Sequence, residues 1–168
     1  MKKRFKKSAK SPNLKINWKV LAAAFIAVIA AGAIGSLFTN AATSDWYQSV
    51  KPAITPPNYV FPIVWTTLYI LIALSIYLSW TNAKGKSEKM LLLRGFTANL
   101  ILNALWSILF FGMKNPMLAL ADLILLWVSI IFLIKTCWKI NKLSAWLLLP
   151  YVLWVTFAGL LNYLIAFA

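Results

Sequence analysis

The chain has 168 residues, 62% of them hydrophobic, with a mean hydropathy of +0.78 and a net charge of +14. A soluble domain of this size has too little interior to hide that much apolar surface. With no histidine, one cysteine and three acids, the composition excludes imidazole ligation of a metal or haem, a histidine general base and an intramolecular disulfide, and it argues against a carboxylate metal cage.

A membrane-spanning helix needs about 20 mostly apolar residues, and five runs meet that length: 20–38, 60–80, 91–111, 116–135 and 143–168. The third run overlaps a basic segment, so its start is expected between Leu91 and Gly95. Connections are short, and the expected architecture is all-α: an integral membrane bundle of five transmembrane helices. It divides into a basic tail (1–19) and a single transmembrane domain (20–168), with a loop at about 39–59 over one end.

The positive charge is asymmetric. Fifteen of the seventeen Lys and Arg residues lie in the N-terminal tail, the second connection (Lys84, Lys86, Lys89, Arg94) and the fourth (Lys135, Lys139, Lys142), against Lys51 and Lys114 on the opposite side. That bias predicts a cytoplasmic N-terminus, an external C-terminus and a plasma-membrane location. The tail MKKRFKK is read as a topology determinant that also touches anionic lipid, not as a nucleic-acid arm. The first run is too long for a cleaved signal peptide and lacks a clean cleavage site.

Within the first run Ala27, Ala31 and Gly35 recur every four residues, with Gly32 and Ser36 beside them. Such spacing permits close helix approach, either within the bundle or across a dimer. The connection that follows, SDWYQSVKPAITPP, holds three prolines and a Trp-Tyr pair, so an extended or turning backbone is expected there in place of a regular helix. Pro62 opens the second run, where its missing N–H costs nothing. Trp65, Tyr69, Ala73 and Tyr77 then share one broad face.

In the third run Asn99, Asn103, Trp106 and Phe110 align on one stripe. Two amides and an indole on a single face would leave donors unpaired if they met hydrocarbon. Asn115 and Pro116 are expected to cap and start the fourth run, with Asp122 two turns in. An intramembrane acid is functional or specifically paired by default, and the expected partner is an Asn, Tyr or Trp donor, or a proton. The fifth run carries Pro150 inside the expected helix and a stripe of Tyr151, Trp154, Ala158 and Asn162. Trp18, Trp80, Trp138 and Trp146 fall near run ends, as headgroup-level anchors do. Trp65, Trp106, Trp127 and Trp154 read equally as core or pocket lining.

Taken in order, WYQSVKPAITPP, VWTTLY, LNALWSILFFG, ALAD and LLPYVLWVTFAGLLNY resemble the pattern of the TspO/translocator-protein family, the tryptophan-rich sensory proteins, over residues 20 to 165. The resemblance implies a five-helix membrane receptor, commonly a homodimer, that binds tetrapyrroles such as protoporphyrin IX and haem as ligands and needs no obligatory cofactor. It also implies that Trp65, Asn103, Trp106, Trp154 and Ala158 line the pocket, that Trp46, Lys51 and Pro52 belong to a lid, and that Tyr69 and Asp122 are further interior polar positions. Asn99 and Tyr151 join them from the stripes above.

Where the family loop carries a Trp, this chain has Ile54, which weakens any photochemistry that depends on that ring. The cholesterol-type pattern also fails, since no Lys or Arg follows Tyr163. A sensor or regulator that encloses a porphyrin is the leading expectation. The alternatives are a light-dependent porphyrin-degrading enzyme working through Trp65 and Trp154, and a small-molecule or tetrapyrrole transporter. Hydrolytic chemistry is disfavoured because no nucleophile–base pair is present.

Overall fold

The computed structural model describes residues 16–39 and 45–168. The basic tail up to Lys15 and the start of the loop after α1 lie outside the described residues. Seven helices follow in chain order: α1 (Trp18–Thr39), α2 (Asp45–Val50), α3 (Val60–Asn82), α4 (Lys86–Ser107), α5 (Pro116–Ile140), α6 (Lys142–Trp146) and α7 (Leu149–Ala166). The C-terminal end of α4 continues as a π-helical turn, Ile108–Gly112. Among the described residues five helical segments are long and apolar enough to cross a membrane: α1, α3, α4 with its π turn, α5, and α6 with α7.

The predicted runs all appear, with longer and differently broken helices. The third begins at Lys86 instead of between Leu91 and Gly95. Hydropathy detects where a helix enters lipid, whereas this one continues into the basic connection, where charged side chains are well solvated. Pro150 does not interrupt the interior of a helix. The chain turns at Leu147–Leu148 between α6 and α7, and Pro150 falls in the first turn of α7, where no donor is missed. Asn115 caps α5 as expected, its side chain accepting from the Leu118 N–H at 3.0 Å.

Beyond that π turn the Asn115 N–H reaches back to the Leu109 carbonyl at 3.1 Å, and Lys114 adopts a left-handed backbone with φ of 51°. This closes the helix end in the manner of a Schellman turn, but with lysine where glycine is the usual choice.

The core is built where α1, α3, α4, α5 and α7 meet, around Val28, Leu68, Ile72, Leu92, Ile130, Leu133, Leu148, Tyr151 and Val155. Around it, side chains such as Ile26, Ile63, Ile101, Leu125 and Leu153 are exposed, as lipid-facing positions are in a bundle. Ala31 and Gly35 of the small-residue stripe are buried inside the bundle, whereas Ala27 is exposed. The stripe therefore serves mainly an intramolecular contact. A Cβ on Gly32 would stand 2.5 Å from Cε2 of Tyr69, and one on Gly35 would stand 3.1 Å from Oγ of Ser107. Gly32→Ala is expected to push the Tyr69 ring aside and destabilise the bundle by about 1–3 kcal/mol, as overpacking does. Reversible unfolding in mixed micelles measures this, with Gly85→Ala, where nothing lies within 4 Å of an added Cβ, as the control.

Candidate ligand-binding site

The polar residues of four spans meet in one hydrogen-bonded series. The Tyr69 hydroxyl on α3 donates to Oδ1 of Asn103 on α4 at 3.3 Å. Nδ2 of Asn103 donates to the Tyr151 hydroxyl on α7 at 3.2 Å, and that hydroxyl donates to Oδ1 of Asn99, one helical turn below Asn103, at 3.4 Å. Nδ2 of Asn99 donates to Oγ of Ser129 on α5 at 2.8 Å, and Ser129 donates to the Leu126 carbonyl at 2.6 Å. Every donor points the same way along the series. Asn99 and Tyr151 are fully buried, so these bonds replace water that cannot enter. The α-helical repeat explains the assembly: Asn99 and Asn103 are four residues apart and bracket one phenol.

Aromatic rings flank the series. The Trp65 ring lies 5.4 Å from that of Tyr69 and 6.4 Å from that of Tyr151. Trp154 packs edge-on against Phe61 at 5.8 Å and touches Phe157 at 5.7 Å, with half-buried Ala158 one turn further along α7. Trp106 stacks on Phe110 at 5.1 Å, and its indole N–H donates to Oδ1 of Asn162 at 3.1 Å. The other end of the Asn162 amide donates to the Pro116 carbonyl at 2.7 Å, tying α7 to the start of α5.

Above this end sits the loop. It is not wholly extended: residues Asp45–Val50 form the short helix α2, because the prolines that forbid helix begin only at Pro52. Trp46 and Tyr47 are set edge-on against Phe110 at 5.7 and 6.2 Å, and Tyr47 also meets Phe111 at 5.6 Å. The loop is thereby docked on the π turn of α4. Burial pushes the Tyr47 phenol above its ordinary pKa, with Thr55 acting the other way, so the ring stays neutral on its apolar seat. Pro52 accepts at its carbonyl from the Thr55 N–H at 3.0 Å, turning the chain back towards α3. Lys51 is exposed and its Nζ donates to Oε1 of Gln48.

Asp122 differs from all of these. Its side chain is 5% exposed, and neither carboxylate oxygen has a hydrogen-bond partner among the described residues. The Asn, Tyr or Trp donor expected from the sequence does not reach it. Trp127, read as core or pocket, instead lies partly exposed on the outer face, its indole N–H donating to Oγ1 of Thr156 at 2.9 Å. Sequence reasoning missed Ser129, although it lies seven residues beyond Asp122 on the same helical face. It also missed the roles of Phe61 and Phe111, which no polar signal marks.

The TspO/MBR family model matches residues 23–168. The chain belongs to the TspO/MBR family. It is 42% identical over 146 residues to the tryptophan-rich protein TspO of Archaeoglobus fulgidus, covering 86% of this chain and 94% of that protein. Similarity to protein CrtK of Rhodobacter capsulatus is 37%, covering 83% and 86% of the two chains. The human translocator protein is 35% identical, with 77% and 78% covered. Membership and the five apolar helices make this a multi-pass integral membrane protein, and the family points to a ligand-binding or regulatory role.

Proposed function

We propose that the protein is a sensor or regulator that encloses a porphyrin, protoporphyrin IX or haem, between its helices beneath the α2 loop. The observation that carries this reading is the combination of Trp65, Tyr69 and Tyr151 rings with a completed amide–phenol series, under a loop held by aromatic edges. Flat apolar rings suit a macrocycle face, and a small set of fixed polar groups suits its periphery. Lys51, exposed at the loop, would meet a propionate once its bond to Gln48 opens. With no histidine in the chain, haem would be held without an imidazole ligand. The charge bias supports a cytoplasmic N-terminus in a plasma membrane. A homodimer would use the α1 face that carries exposed Ala27.

A second reading, light-dependent porphyrin degradation, is favoured by the contact of Trp65 with two tyrosines, a short path for an electron hole leaving an indole. Titration of detergent-purified protein with protoporphyrin IX, followed by tryptophan fluorescence in the dark and then under illumination, tests both. Saturable dark binding, weakened about tenfold in Trp65→Phe or Trp154→Phe, is expected; a lost stacking partner is worth roughly 0.5–1.5 kcal/mol and a misplaced ligand loses more. Absence of saturable binding overturns the porphyrin reading. Bleaching of the porphyrin in the wild type alone promotes the enzyme.

A further inference from the structure

At the opposite end of the bundle from the loop, the connection between α3 and α4 forms a groove of about 400 Å³ lined by Trp80, Ala83, Lys84, Lys86, Lys89 and Leu93. It continues into a second depression, sharing Lys86 and Met90, that reaches Leu91 and Arg94. The Lys89 ammonium stands 5.8 Å from the Trp80 ring centre. Glu88 is the acid on this connection, and its Oε2 is engaged by the Lys84 N–H at 2.7 Å. The groove thus presents three lysines and an arginine around one occupied carboxylate. Directly beneath, Met90, Leu91 and Leu93 are exposed on the lipid side of α4.

We propose that this groove binds the headgroup of an anionic phospholipid. The phosphate would lie among Lys84, Lys86 and Lys89, with an acyl chain running down Met90 and Leu93. The inference rests on the membrane-spanning fold, not on the porphyrin reading. Charge complementarity selects the occupant: a cationic rim directly above an apolar helix face matches an amphiphile with a negative head, and juxtamembrane basic clusters attract such lipids. A solvated charge patch with no ligand would lack the apolar wall, and a zwitterionic lipid would gain little from the surplus of cations.

The test is retention of lipid by the full chain after delipidation and re-addition, read by native mass spectrometry with phosphatidylglycerol against phosphatidylcholine. Wild type is expected to retain phosphatidylglycerol about tenfold better, and Lys84→Gln/Lys86→Gln/Lys89→Gln to lose that preference, since each basic residue near an anionic surface contributes roughly a fivefold effect before saturation. A second variant neutralises Lys2, Lys3, Arg4, Lys6 and Lys7 within the full chain and is expected to keep the preference. Equal retention of both lipids by wild type overturns the proposal, as does a preference that survives the groove variant and disappears in the tail variant. Inorganic phosphate is included as competitor. If it displaces the lipid at equal concentration, the groove is an anion site and the lipid assignment fails. An unfolding midpoint in mixed micelles equal to that of wild type shows that the groove variant has folded.

Discussion

Replacing Asp122 with asparagine or leucine is expected to make the bundle more stable, the reverse of what substitution of a buried residue normally does. Among the described residues neither carboxylate oxygen has a hydrogen-bond partner, and the side chain is almost wholly buried. A buried polar group without a partner costs about 1–3 kcal/mol as judged from protein substitutions, and an ionised one costs more. Leucine removes that cost and keeps the branching of the side chain at Cγ between α5 and its neighbours. Unfolding in mixed micelles should show a gain of about 1–2 kcal/mol for Asp122→Leu and a smaller gain for Asp122→Asn, whose amide is neutral but still unpaired.

Ligand affinity should move the other way, because a residue kept at a stability cost is usually kept for function. A variant that is both less stable and unimpaired in ligand binding would show that Asp122 has a structural partner. The expected outcome is a trade between the two measurements.

Tyr151→Phe is expected to be the most damaging conservative change in the bundle. The hydroxyl accepts from Asn103 and donates to Asn99, and its removal leaves Nδ2 of one amide and Oδ1 of the other facing each other across a hole in a dry interior. Interhelical hydrogen bonds in membrane proteins average only about 0.6 kcal/mol, with a maximum near 1.7. Two such bonds break here and two buried groups are orphaned, so a loss of about 1.5–3 kcal/mol is expected. Tyr69→Phe removes the first donor alone and leaves one acceptor open, so it should cost about half as much. Equal effects from the two substitutions would mean that the series does not act as a connected unit. A double-mutant cycle between Tyr151→Phe and Asn99→Ala isolates the pairwise coupling.

Much of this architecture was legible in the residues because the bilayer imposes few solutions. Five apolar runs with short connections can only be helices, and Asn99, Asn103 and Tyr151 on inward stripes had to meet somewhere. Which partner each would find was not legible, since an amide on a helix face is consistent with several neighbours until crossing angles and depths are fixed. Asp122 shows the same limit from the other side: its inward position followed from the pattern, and its lack of a partner did not. Trp127 went astray because an indole's own hydrogen bond to Thr156 lets it lie against the outer face, an option that composition does not reveal. The break at Leu147–Leu148 was hidden by an apolar run that continues through it, and Pro150 alone does not say whether a helix bends there or begins. The short helix α2 escaped notice because the prolines dominated the reading of a segment whose first six residues contain none.

Phe110 and Phe111, consecutive in the π turn Ile108–Gly112, are both buried, and the wider turn brings their side chains closer together around the axis than the 100° of an α-helix. That pair of rings is the seat on which Trp46 and Tyr47 rest. The loop and the C-terminal end of α4 are therefore a single exchangeable cassette. A chimera that borrows the loop from a relative must borrow Ile108–Gly112 with it, and a one-residue deletion in that stretch would unseat the loop without touching any of its residues.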